Sequence, residues 1–152
     1  MTYSKNFKIR LGILVVLTII QLKVSAQVST LAIDSLNGKA RSLIFSDFTQ
    51  AIQLTETALR QSQEIKYVKG EATAYRNFAT IYSRSFNFYY SLKFSKLSLK
   101  HFQQVGDSAG VADNYITLGH TFRRQNEHTT SYQYYLKATN IYKELNQPER
   151  LA

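Results

Sequence analysis

The chain has no cysteine and no tryptophan, and among its 152 residues there are six glycines and one proline. Without cysteine there is no disulfide framework, thiolate metal site, cysteine nucleophile or lipid-modified cysteine anchor. Glycine and proline are too scarce for a turn-rich β-sandwich or barrel, or for a low-complexity linker. The three histidines, His101, His120 and His128, never lie three or four apart, so no pair places two metal ligands on one helical face. There is no glycine-rich phosphate loop, no Gly-x-Ser-x-Gly elbow and no His-Glu-x-x-His motif. Nothing in the spacing of the ten acidic residues selects a catalytic pair. No catalytic residue, cofactor or metal is expected. Length alone allows one compact domain or a short repeat array.

What is abundant favours a packed helical chain. Hydrophobic residues make up 44% and charged residues 19%, enough apolar material for a core, and eleven Tyr and nine Phe supply large wedges between helices. The net charge of +9 is partly a matter of the N-terminus: four of the nineteen basic residues, Lys5, Lys8, Arg10 and Lys23, and none of the ten acids precede Gln27, leaving +5 beyond it. That balance is too mild to predict nucleic-acid binding.

The same N-terminus reads as a leader occupying residues 1–26. Lys5, Lys8 and Arg10 precede a ten-residue apolar run, Leu11 to Ile20, shorter than the roughly 20 residues a bilayer-spanning helix needs. Val24 and Ala26 then stand at the small-residue places that a signal peptidase reads, so cleavage is expected after Ala26. A retained membrane anchor and a buried first helix are the alternatives. Export is the expectation, to the periplasm in a Gram-negative bacterium.

Beyond the leader the chain repeats with a period of forty. Ala72, Tyr75, Phe78, Ala79 and Tyr82 recur as Ala112, Tyr115, Leu118, Gly119 and Phe122, each set at helical spacing. Phe88, Ser91, Leu92, Ser98, Phe102 and Val105 recur as His128, Ser131, Tyr132, Ala138, Tyr142 and Leu145, and are preceded forty residues earlier by Phe48, Ala51, Ile52, Ala58, Ser62 and Ile65. Polar stretches with turn residues, Lys66 to Gly70, Gly106 to Gly110 and Asn146 to Arg150, separate the copies. Each copy reads as two helices of about 15 to 18 residues, too small to bury its own apolar face, so stacking is required. Repeats are expected at 27–71, 72–111 and 112–152, the last including the start of a fourth at Leu151-Ala152.

These residues resemble the tetratricopeptide repeat. The third copy carries the pattern at Tyr115, Leu118-Gly119, Phe122, Ser131, Tyr135 and Ala138, and the second at Tyr75, Phe78-Ala79, Tyr82, Phe88, Ser91 and Ser98. The first departs from it: Ser35 stands where an aromatic is expected, Asn37-Gly38 lies inside the helix, and aligning Ala40 with Ala79 and Gly119 needs a one-residue shift. The period of forty is similar to the longer-helix variety found in bacterial exported signalling proteins. The resemblance implies an all-α, right-handed α-solenoid of about three stacked helix-turn-helix repeats, acting as a scaffold for a protein or peptide partner.

By the family's pattern the concave face takes the first helix of each repeat, at Thr73, Arg76, Thr80, Ser83 and Arg84, then Asp113, Thr117, His120, Arg123 and Arg124. From these, Arg76, Thr80, Arg84, His120, Arg123 and Arg124 are the candidate binding residues. A guanidinium cluster in a groove suits carboxylate or phosphate groups, which points to an acidic partner; an ordinary solvated basic face is the competing reading. Of the places where some family members clamp a terminal carboxylate, only Arg76 resembles one, so that clamp is not carried over. Tyr89, Tyr90, Tyr132, Tyr134 and Tyr135 are expected in core and groove packing, and His128 in packing at a turn. Parts of Tyr135, Tyr142 and Leu145 are expected to form an open apolar flank through which the chain self-associates. Membrane contact would come only through an uncleaved leader or a further downstream span. The alternative function is the periplasmic input portion of a membrane-bound signalling protein such as a sensor histidine kinase.

Overall fold

The computed structural model describes residues 5–151, with side chains placed at 13–21, 29–147 and 149–150. The side chains of Lys5, Lys8 and Arg10 and those around the expected cleavage point, Val24 to Gln27, lie outside the described residues. Six α-helices follow one another: α1 (Lys5–Leu43), α2 (Phe48–Glu64), α3 (Val68–Arg84), α4 (Phe88–Gln104), α5 (Ser108–Arg124) and α6 (His128–Glu144), then a 3-10 turn at Pro148–Leu151. Among the described residues there is no strand, and no helix is long and apolar enough to cross a membrane.

Helices α2 to α6 are each 17 residues long, and the turns between them explain that uniformity. Lys66, Phe86, Gly106, Asn126 and Asn146, spaced every twenty residues, all have positive φ. After each, an amide reaches five residues back, as in Tyr67 N–H to Ser62 O and Asn87 N–H to Tyr82 O. This is the Schellman closure, which satisfies the last carbonyls of a helix and turns the chain sharply. Side chains of Asp47, Asn87 and Asp107 then cap the next helix by accepting the amide three residues on.

The first connection differs. Between α1 and α2 no residue has positive φ, and Asp47 N–H reaches only four residues back, to Leu43 O at 2.8 Å. Although four residues rather than three separate these two helices, the closing bond spans one residue fewer than in the later turns, which matches the one-residue displacement in the register of Ala40.

The buried positions follow the repeat. Ala51, Thr55, Ala58 and Ser62 of α2 correspond to Ser91, Ser95, Ser98 and Phe102 of α4. Ser91 Oγ donates to Ala79 O at 2.9 Å, and forty residues on Ser131 Oγ donates to Gly119 O at 2.8 Å. The aromatic stack recurs too: Tyr82 lies on Phe94 with centroids 5.5 Å apart, and Phe122 on Tyr134 at 5.3 Å. Helices α1, α3 and α5 touch one another in succession, whereas α2, α4 and α6 touch only their chain neighbours among the helices. The odd helices therefore form the tight inner layer and the even ones splay on the outside, which is how a solenoid of helix pairs acquires a concave face.

Three expectations about single residues need correction. Tyr142 is fully buried, its hydroxyl donating to Asp113 and to Ala109 O, so it adds nothing to an open flank; Tyr135 and Leu145 are half-buried. Tyr89 and Tyr132 are the exposed members of the tyrosine set, at 72% and 67%, because they point away from the inner layer. His128 is exposed as well; unlike Phe88, which packs edge-on against Phe86, it makes no ring contact among the described residues.

Candidate functional site

The inner layer carries two adjoining clefts. The smaller, about 140 Å³, is lined by Phe45, Thr80, Ser83, Arg84, Thr117, His120, Arg123 and Arg124. The larger, about 490 Å³, shares Phe45, Thr80, Thr117 and His120 and adds Arg41, Arg76, Asp113, Tyr135 and Arg150 among others. Five of the six candidate residues, Thr80, Arg84, His120, Arg123 and Arg124, thus meet in one small cleft, and Arg76 sits in the next.

Helical spacing explains the alignment. Thr80 and Arg84 are one turn apart on α3, while Thr117, His120 and Arg124 follow at intervals of three and four on α5. Because α3 and α5 are neighbours in the inner layer, their C-terminal turns lie side by side, bringing Arg84 beside Arg123 and Arg124. Each helix also gains from a cation in its last turn.

Arg76 has a different environment from the others. It is 8% exposed, ion-paired with Asp113, and set 5.5 Å over the Phe102 ring. Burial lowers its pKa from the ordinary arginine value, and Asp113 opposes that shift. Asp113 also accepts from Tyr142 and from Arg150 at 3.1 Å, with Arg41 3.8 Å away. The floor of the larger cleft is therefore internally paired: Asp113 is shared among the guanidiniums of Arg41, Arg76 and Arg150, which keep a positive surplus over it. By contrast, Arg84, Arg123 and Arg124 make no ion pair among the described residues; Arg84 stacks 4.1 Å over Phe45 and Arg124 lies 5.9 Å from Phe86.

His120 is bonded through Nδ1 to the Tyr135 hydroxyl at 2.8 Å. Partial burial, then the charges of Arg123 and Arg124, lower its pKa below the usual histidine value, which favours the neutral ring near pH 7. No group of three or more acids and histidines capable of holding a metal occurs among the described residues.

The tetratricopeptide-repeat family matches the chain over residues 70–144, the span of α3 to α6. The chain belongs to the tetratricopeptide-repeat family. No curated protein and no solved structure is similar to it at a significant level. The tetratricopeptide repeats suit it to protein–protein interaction, and the inner-layer groove is the concave surface that such a pair of repeats presents. Sequence reasoning missed Arg41, Phe45 and Arg150 as groove residues. Arg41 and Phe45 belong to the first repeat, where the closing bond of the turn spans one residue fewer and the register is displaced, and Arg150 follows the last matched residue. The Arg76–Asp113 pair had a usable signal: their separation of 37 is one period less one helical turn, which sets them opposite each other on adjacent inner helices.

Proposed function

We propose that the protein is an exported interaction scaffold, without catalytic activity of its own, that holds an acidic segment of a partner protein or peptide along the groove between α1, α3 and α5. The observation that carries this reading is the charge of the lining. Across the two clefts stand six arginines, Arg41, Arg76, Arg84, Arg123, Arg124 and Arg150, and a single acid, Asp113. A concave, low-dielectric wall focuses such a surplus more than a convex surface does. Exposed ion pairs contribute about 0 to 1 kcal/mol each, so several contacts together give binding in about the micromolar range.

The test is a comparison of acidic and basic peptide arrays on the wild-type chain and on Arg123→Ala/Arg124→Ala. Arg76 is left in place because its loss would strand Asp113. The expected result is preferential capture of acidic peptides by the wild type, weakened about tenfold in the variant and by added salt. Equal capture by both folded proteins would reduce these arginines to a solvated face. Export is supported by the basic, apolar and small-residue order of residues 1–26 and by the exposure of Ile13 to Leu17, Ile19 and Ile20 on α1. Mass spectrometry of protein from the producing cell is expected to find Gln27 at the N-terminus; an intact Met1 in the cytosol would refute it.

A further inference from the structure

The small cleft has features that acidic-segment binding alone does not require. Its lining contains three guanidiniums, those of Arg84, Arg123 and Arg124, and no carboxylate. Two of the three lie over aromatic rings, Arg84 on Phe45 and Arg124 near Phe86. A guanidinium over a ring keeps its N–H donors in its own plane, free for an anion at the edge.

Ser83 supplies the second observation. It is 2% exposed, it lines this cleft, and its hydroxyl has no hydrogen-bond partner. Elsewhere on these helices a buried or half-buried hydroxyl bonds to the carbonyl four residues back, as Thr80 does to Arg76 O, Thr117 to Asp113 O and Thr121 to Thr117 O. For Ser83 that carbonyl is Ala79 O, which already accepts from Ser91 Oγ at 2.9 Å. A buried hydroxyl left without a partner costs about 1 to 3 kcal/mol, so the cleft contains a donor that an acceptor would satisfy. The lining as a whole thus offers donors and positive charge, with the hydroxyls of Thr80 and Thr117 already donating to the backbone.

Resting on the reading of the groove as a binding surface, we infer that the end where Arg84, Arg123 and Arg124 meet Ser83 is a site for a phosphoryl group. A single carboxylate would leave two of the three charges unmatched. A phosphoryl dianion neutralises two and offers three oxygens to separately placed donors, and the cleft of about 140 Å³ suits a compact group rather than an extended segment. In the neighbouring cleft the guanidiniums of Arg41, Arg76 and Arg150 are engaged by Asp113, so its floor lacks this carboxylate-free character.

His120 gives the site its own reporter. Its charged neighbours in the small cleft are Arg84 from α3 and Arg123 and Arg124 from α5, Tyr135 from α6 is its hydrogen-bond partner, and Asp113 lies in the adjoining cleft. An anion that neutralises Arg123 and Arg124 relieves part of what holds the imidazole pKa down. The experiment is a proton NMR titration of the wild-type chain with inorganic phosphate, phenyl phosphate and acetate, following the His120 ring signal against pH, alongside Arg84→Ala and Ser83→Ala. Phosphate is expected to raise the His120 pKa and to bind at least about tenfold more tightly than acetate, and each variant to weaken it several-fold. Binding of both phosphate compounds assigns the site to monoesters; binding of inorganic phosphate alone assigns it to the free anion. Absence of both, or parity with acetate, overturns the inference. Retention of acidic-peptide binding in that case would leave the groove reading intact, whereas loss of acidic-peptide preference would remove that reading separately.

Discussion

Arg76 on α3 and Asp113 on α5 form an ion pair in which each side chain is about nine-tenths buried, 10% and 11% exposed. The pair joins successive repeats across the inner layer, and Tyr142 and Arg150 complete the carboxylate's coordination by donors. A residue picked out for partner binding therefore also holds the stack together. Replacing Asp113 by Ala would leave the Arg76 charge buried without its counter-charge, at a cost of about 3 to 5 kcal/mol. The paired replacement Arg76→Met/Asp113→Leu removes both charges and should recover most of that loss. Urea unfolding of the two variants checks this, and an unperturbed midpoint for Asp113→Ala would contradict the structural role.

A second interrepeat bond makes stability depend on alkaline pH. The Tyr67 hydroxyl donates to Asp34 at 3.0 Å. Burial, the bond to Asp34, and the charges of Asp34 and Asp107 raise its pKa to about 12, from an ordinary value of about 10. Because the folded value is the higher one, this contribution is fully present below about pH 10 and is lost as pH rises through about 12. Urea midpoints measured from pH 9 to 12 should fall more steeply for the wild type than for Tyr67→Phe. Parallel curves would show that Tyr67 titrates alike in both states.

The turns offer a gain in stability. Lys66 is exposed and has φ of 56°, a conformation that costs a side chain about 1 kcal/mol and glycine almost nothing. Gly106 occupies the same place in its turn, at φ 68°. Lys66→Gly should therefore stabilise the fold by about 0.5 to 1 kcal/mol, visible as a rise of a few degrees in Tm. Phe86 has the same strain, but its ring accompanies Arg124, so it is the poorer position for the test.

The helical solenoid was legible because period and composition agree: small residues at Ala58, Ser98 and Ala138, and aromatics at Tyr82 and Phe122, recur at one offset and lie buried or half-buried in matching places. Most of the candidate site was legible as well, since positions one turn apart on neighbouring inner helices must share a face. Two kinds of feature were not. Whether an arginine is free or paired depends on which acid stands across the helix interface, so Arg76 and Arg84, two turns apart on one helix, have opposite situations. The burial of Tyr142 depends on Asp113 and Ala109 of a different helix, and periodicity within α6 says nothing of that partner.

Gly119 connects the packing of the third repeat to the groove. A Cβ built on it would lie 2.6 to 2.9 Å from the Tyr135 ring, the same ring whose hydroxyl holds His120. Gly119→Ala gains about 1 kcal/mol of helix propensity, but only if Tyr135 can move aside. Gly119→Leu exceeds any such adjustment and should cost about 2 kcal/mol net through overpacking. If the ring is displaced, the His120 bond goes with it, so the His120 NMR signal should shift in both variants, including the alanine variant whose stability is nearly unchanged. Thermal unfolding and the His120 spectrum, recorded on the same samples, separate the two effects. A leucine variant as stable as the wild type would deny the close approach of α5 and α6. An unmoved His120 signal would mean that Tyr135 yields without releasing the histidine.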